Sequence, residues 1–439
     1  MAISGDLTML KTGFRALLTT ALAAALLGGP LAAHAAGASA KPDFKPVGDY
    51  LRQLVDTGKF PGANVLILKD GKEAYYAQAG LMDVEARQPV RRDTIFRIYS
   101  MSKPVTTTAV MILVDEGKLK FSDPVTRYVP EFANLQVYTG MKDGVMQTEP
   151  ARPMTVENLL THTAGLTYAF QLTTPVAAMY QKSPLGGDRW RFDPAYAGGG
   201  ELARTLASMP LAYQPGERFH YSMALDVAAL VVQRASGVPF GKFLQTRIFE
   251  PLGMPDTGFD MPAEKGGRLA SLYGPTRDGG LRVTDVGATS ALLKPIPGFS
   301  GGGGLLSTVD DYARFAEMLQ EGGALNGRRI LSRKSIRLMM SNHLTSDQLV
   351  ELKSTAGFGL GGSGDGLGFG YGGSVLTDGK SANDPGSVGE YAWGGAASTT
   401  FWVDPVKHVV VVFMTQVIPP GRALVRDDLR NLTYQALGK

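Results

Sequence analysis

Two residues in this chain have the makings of a nucleophile and its base: Ser100 and Lys103, in Ser100-Met101-Ser102-Lys103. Residues three apart share one face of a helix, so the lysine amine can reach the serine hydroxyl. A helix does begin here, because Val105, Ala109, Ile112 and Leu113 recur at helical spacing and Gly117 ends the run. Pro104 falls early enough to be tolerated in a first turn. A helix N-terminus offers unpaired N–H groups and a positive partial charge, which suits an attacking oxygen that turns briefly negative. Burial of the amine would favour its neutral form, able to take the hydroxyl proton. By itself the tetrad also fits a capping serine beside a solvated lysine.

A second candidate is Tyr221, in Gln214-Pro215-Gly216-Glu217-Arg218-Phe219-His220-Tyr221-Ser222. The Pro-Gly turn brings it to the entry of a helix that starts near Ala224. A phenol beside a lysine can pass a proton from the serine to a leaving group, although one tyrosine among 16 says little alone. The third element is Trp393-Gly394-Gly395-Ala396, expected on a late strand. Its glycines let a ligand come close to the backbone. The Ala396 N–H, with that of Ser100, can form an oxyanion hole.

These residues have to be positioned by the elements around them. The apolar spacing over 44–58 predicts a helix, and 63–68 and 73–79 read as strands joined by Lys69-Asp70-Gly71-Lys72, a hairpin signal. A strand-like run over 94–99 leads directly into Ser100. Residues 119–295 read as helices joined by long loops, with helical candidates at 155–161, 201–208, 224–235 and 240–249. Helices follow at 309–320 and 332–340, then strands at 369–377, 399–403 and 408–415, and a last helix at 422–437. The simplest architecture is α+β: an antiparallel sheet flanked by helices from both chain ends, plus an inserted mostly helical domain. The expected parts are 44–118 and 296–439 for the α/β domain and 119–295 for the insertion.

Taken together and in this order, Ser100-x-x-Lys103, Tyr221 and the glycine strand resemble the serine β-lactamase and penicillin-binding protein family. Its signatures are S-x-x-K, Y-x-N and a K-T-G-like strand. Leu159-Leu160-Thr161-His162-Thr163-Ala164-Gly165-Leu166 and Gly303-Gly304-Leu305-Leu306-Ser307-Thr308 are similar to stretches of the class C branch. The resemblance implies a β-lactamase-like fold and an acyl-enzyme on Ser100. It also implies proton passage by Lys103 and Tyr221, and an oxyanion hole from the N–H groups of Ser100 and Ala396. Which of Lys103 and Tyr221 is the primary base stays open.

Two positions depart from the family pattern. The Y-x-N site reads Tyr221-Ser222-Met223 and lacks the amide; the K-T-G site reads Trp393-Gly394-Gly395 and lacks both cation and hydroxyl. A site without a carboxylate clamp and with an indole favours neutral esters. This combination resembles the family VIII carboxylesterases, with Trp393, Gly394, Gly395 and Met223 lining the substrate pocket. The resemblance implies a small-molecule carboxylic ester of short to medium acyl chain as substrate. It implies no cofactor, and hydrolysis of β-lactams such as cephalosporins as a side activity. One rival is a true class C-like β-lactamase or D-alanyl peptidase, with Arg152, Arg204 or Arg268 replacing the lost lysine. Another is a catalytically silent cell-wall-binding module, which has no need of Ser100, Lys103 and Tyr221 together.

Gly298-Phe299-Ser300-Gly301-Gly302 also matches G-x-S-x-G, the nucleophile elbow of α/β-hydrolases, which needs a strand before it and a helix after it. Pro295 and Pro297 before it, and Gly303 and Gly304 after it, make it a loop instead. Among the histidines, His162 reads as a structural residue at a helix end. No grouping of the five histidines with carboxylates has metal-ligand spacing, so no metal is expected.

The 439 residues, 44% hydrophobic, exceed one small core and are too polar for a polytopic membrane protein. A pI near 9.0 hints at anionic partners. However, 44 Lys and Arg face 40 Asp and Glu with no basic run, which argues against nucleic acid. The absence of cysteine excludes disulfides and a thiol nucleophile. At the N-terminus, Lys11 and Arg15 precede an apolar run over 16–27, then Gly28-Gly29-Pro30 and Ala33-His34-Ala35. That is the order of a secretory signal over 1–35, followed by a disordered leader over 36–43. The apolar run is shorter than the ~20 residues that span a bilayer. The expectation is a periplasmic or secreted protein cleaved near Ala35, with no lasting membrane span.

Overall fold

The first hairpin sets the frame. Strand β1 (Gly62–Lys69) returns through Asp70-Gly71 into β2 (Lys72–Asp83). Both turn residues have positive φ, 52° and 69°, as a two-residue Asp-Gly hairpin requires. The computed structural model describes residues 42–171, 174–355, 366–378, 380, 384–418 and 425–438. The secretory signal and all but the last two residues of the leader lie outside the described residues. No described helix is long and apolar enough to cross a membrane.

Six more strands complete the sheet: β3 (Gln88–Pro89), β4 (Leu367–Phe369), β5 (Ser374–Leu376), β6 (Tyr391–Gly394), β7 (Thr400–Asp404) and β8 (Val409–Thr415). Their order is β4-β5-β6-β7-β8-β1-β2-β3, antiparallel throughout. The pairing of β8 with β1, from Ala63↔Thr415 to Lys69↔Val409, joins the two ends of the chain. This is the antiparallel sheet expected from the sequence.

Helices cover both faces, which explains the unbroken apolar run of β8. Val65, Ile67, Trp402, Val409, Val411 and Phe413 pack with residues of α1 (Lys45–Asp56) and α5 (Val425–Ala436). Leu66, Trp393, Phe401, Val410, Val412 and Met414 belong to the other core, with α2 (Ser102–Asp115), α3 (Ala224–Ser236) and α4 (Val309–Gln320). A strand sealed on both sides has no polar face to alternate with. Helix α2 is buried over its first twelve residues, Ser102 to Leu113, not along one stripe as its spacing suggested.

Three elements differ from expectation. The strand over 94–99 shrinks to Phe96–Arg97, paired with Leu306–Ser307, because the chain must bend to start α2. The run over 369–377 is the β4–β5 hairpin, folded at Gly370 to Gly373. Within 119–295 there are helices but also two hairpins, Gln136–Lys142 with Val145–Pro150 and Leu272–Pro275 with Leu281–Asp285. The first turns on Asp143-Gly144, again at positive φ, the same signal as Asp70-Gly71.

Trp402 is fully buried between the sheet and α1. Its replacement by Ala should lower the unfolding free energy by about 3–5 kcal/mol. The check is urea denaturation, where the midpoint should fall with the slope kept.

Candidate active site

Ser100 sits where the backbone is forced out of a strand. Ile98 closes the extended segment, and Tyr99 then takes φ 41°, a left-handed conformation that costs a non-glycine residue about 1–2 kcal/mol. The resulting short 3-10 turn, Tyr99–Met101, delivers Ser100 part-exposed at the start of α2. Two side-chain bonds hold this bend. The Tyr312 hydroxyl of α4 donates to the Met101 carbonyl (2.8 Å), and the Leu305 N–H donates to Ser102 Oγ (3.1 Å).

The predicted catalytic residues meet at the serine oxygen. Lys103 Nζ lies 3.1 Å from Ser100 Oγ, and the Tyr221 hydroxyl donates to the same oxygen at 2.7 Å. The capping-serine alternative fails on this contact, since Lys103 is fully buried and not solvated. Its amine also donates to the Gly302 carbonyl (2.6 Å) and the Tyr168 hydroxyl (3.2 Å), and sits 4.5 Å from the Tyr221 ring centre.

Burial pulls the Lys103 amine down to about 7, against the opposite pull of the Asp226 carboxylate. A neutral amine keeps two N–H groups, enough for Gly302 and Tyr168, and turns its lone pair to the Ser100 proton. Burial also holds the Tyr221 phenol well above its ordinary value despite its bond to Ser100. Tyr221 therefore stays protonated, and Lys103 is the group able to act as base near neutrality.

His162 closes the site from behind. Burial keeps it neutral; its Nδ1 accepts from the Ser222 N–H (3.2 Å), and its ring lies 4.6 Å from that of Tyr221. It is a packing residue, as its place at a helix end suggested. Ser300 is not a nucleophile elbow. It is buried in a glycine turn and donates to Asp226 Oδ1 at 2.6 Å. The turn instead supplies the Gly302 carbonyl to Lys103. A Cβ on Gly302 would stand 2.5 Å from Asp226 Oδ2 and 2.9 Å from the Tyr168 oxygen, so a side chain there would displace both.

The third predicted element lies beside the bend. A Cβ on Gly395 would meet the Ile98 carbonyl at 2.5 Å and Thr399 Oγ1 at 2.3 Å. What the glycine admits is therefore the protein's own backbone, which brings Ala396 next to Ser100. Neither the Ser100 nor the Ala396 N–H donates to a carbonyl among the described residues, so both remain available to an oxyanion. Of the expected pocket residues, Gly394 is part-exposed, whereas Trp393, Gly395 and Met223 are buried. The Trp393 indole stands behind Tyr221, ring centres 5.7 Å apart, and edge-on to Phe369.

Sequence reasoning missed Tyr168, Asp226 and the Gly302 carbonyl. Nothing marks Tyr168 among the tyrosines. Asp226 did carry a signal, as the one charge in the otherwise apolar stretch from Ala224 to Val232. Among the described residues, no group of His, Asp and Glu could hold a metal ion.

The family model described as Beta-lactamase matches residues 47–435. Protein Rv1367c of Mycobacterium tuberculosis is 37% identical over 375 residues, 84% of this chain and 89% of that protein. Esterase EstB of Burkholderia gladioli is 32% identical over 385 residues, again 84% and 89% of the two chains. The solved structure of "EstCE1, a hydrolase with promiscuous acyltransferase activity" superposes with a TM-score of 0.74 at 29% identity, covering 89% of this chain and 98% of that one.

The state of Lys103 sets when Ser100 can react. Labelling of Ser100 by a fluorophosphonate should be slow below pH about 7, where Lys103 is an ammonium, and should rise to a plateau above it. Labelling rates measured against pH test this, and a rate flat through neutrality would contradict Lys103 as the base.

Proposed function

Because the chain belongs to the Beta-lactamase family, we propose that this hydrolase cleaves carboxylic esters through an acyl-enzyme on Ser100. The observation that carries the reading is the double contact at Ser100 Oγ, with Lys103 at 3.1 Å and Tyr221 at 2.7 Å, in a site whose clamp position holds Trp393. The names of EstB and EstCE1 support the esterase assignment.

The steps follow from the contacts. Lys103 takes the proton of Ser100 as Oγ bonds to the acyl carbon, and the Ser100 and Ala396 N–H groups stabilise the oxyanion. As the ester C–O bond breaks, Tyr221 gives its proton to the departing alkoxide and recovers one from the Lys103 ammonium. Water then repeats the sequence in place of the serine: Lys103 takes its proton as its oxygen bonds to the acyl carbon, the acyl–Oγ bond breaks as Tyr221 gives Oγ a proton and recovers one from the Lys103 ammonium, and the acid leaves. An alcohol in place of water would give transesterification from the same acyl-enzyme. A cavity of about 620 Å³ adjoins the bend at Tyr99 and Gly303; it is lined by Phe192, Leu292 and Leu305 but also by Arg97, Arg189 and Arg191, and it has room for a short to medium acyl chain.

β-Lactam opening is proposed as a side activity. The rival of a dedicated β-lactamase or D-alanyl peptidase needs a cation for the substrate carboxylate. Arg204 is paired with Glu201, and Arg268 with Asp256 and Asp93; Arg152 is an exposed residue whose backbone N–H donates to Gln214 Oε1. A silent binding module would not need the intact Ser100, Lys103 and Tyr221 contact. The run from Lys11 to Ala35 supports an exported enzyme, periplasmic or secreted.

Purified protein should hydrolyse short p-nitrophenyl esters faster than a chromogenic cephalosporin, and Ser100→Ala should lose at least about a thousand-fold in kcat. Esters left intact by the wild type would refute the esterase reading. Wild-type turnover by Ser100→Ala would refute the nucleophile.

A further inference from the structure

Asp226 is a fully buried carboxylate in the first turn of α3, one turn beyond Tyr221. Its Oδ1 accepts from the Ser300 hydroxyl (2.6 Å) and the Gly302 N–H (3.1 Å). The carbonyl of the same glycine accepts from Lys103 Nζ at 2.6 Å. Gly302 is thus fixed at its amide by the acid and meets the amine with its carbonyl. The turn is packed closely against α3. A Cβ on Gly301 would meet the Ala229 methyl and the Leu225 carbonyl, each at 2.5 Å. Thr106 Oγ1 of α2 also donates to the Gly301 carbonyl (2.7 Å).

We propose that Asp226 is the positioning residue of Lys103: it holds the 300–302 turn so that the Gly302 carbonyl meets the amine, and it sets a carboxylate one residue of backbone away from that contact. The proposal rests on the esterase reading, because ester hydrolysis is its readout. The titratable groups around Lys103 are Tyr168, Tyr221, His162 and Asp226. Burial keeps Tyr221 protonated and His162 neutral. The carboxylate is therefore the full charge that opposes the loss of hydration at Lys103. Without it, the amine would hold its proton less well and would be a weaker base for the Ser100 hydroxyl.

The test is kcat/KM for p-nitrophenyl butyrate against pH, for the full chain and two variants. In Asp226→Asn, which keeps the shape and one acceptor, the rising limb should move to lower pH by about one unit. Its plateau should fall about ten-fold. In Ser300→Ala, which loosens the turn but leaves the charge, the plateau should fall several-fold with the limb unmoved. An Asp226→Asn limb that coincides with the wild type overturns the proposal, as does a Ser300→Ala plateau equal to wild type. Should Asp226→Asn lack the wild-type melting transition, Ser300→Ala decides by its plateau. A wild type that leaves the ester intact overturns the esterase reading instead.

Discussion

An amine with no water around it must find acceptors in the protein or give up its proton, and Lys103 is fully buried. Much of the site answers this constraint. The Gly302 carbonyl and the Tyr168 hydroxyl take its N–H groups, and the Ser100 hydroxyl faces its lone pair. Burial brings the amine near neutrality, where a base is most useful, and the same burial keeps Tyr221 a phenol. One dry environment therefore separates the two roles. The lysine loses its proton readily and the tyrosine keeps its own.

The constraint extends into the backbone. To bring a carbonyl within 2.6 Å of a buried amine, the 301–304 run has to press against α2 and α3, and side chains at Gly301 and Gly302 would collide with both. To put Ser100 beside that amine, the chain leaves its strand through Tyr99 in a left-handed turn. The strain is held by α4, whose Tyr312 donates to Met101 and stacks edge-on to Phe401 of the sheet. The sheet thereby supports the nucleophile through one helix.

Specificity depends on the neighbouring strand. Where relatives of the lactamase type carry a lysine, β6 presents Trp393, sealed behind Tyr221 and against Phe369. An indole there packs the ring that donates to Ser100.

Much of this was legible in the sequence, for local reasons. The Ser100–Lys103 pairing follows from three-residue helical spacing and the first hairpin from Asp70-Gly71, and helix 309–320 has the bounds expected of it. An antiparallel sheet joining both chain ends was foreseen, though β3 was missed and the β4–β5 hairpin read as one strand. What stayed hidden was non-local. Tyr168 and Gly302 reach Lys103 from 65 and 199 residues away, and no periodicity records such a distance. The strand over 94–99 and the ligand-admitting role of Gly395 were misjudged for the same reason. The bend at Tyr99 and the approach of the Ile98 carbonyl exist only once the sheet and α2 are packed together. By itself, the sequence determined which residues could act and which elements would carry them. Tertiary structure alone decided that Lys103 would be dry, and dryness is what turns an ordinary ammonium into a base.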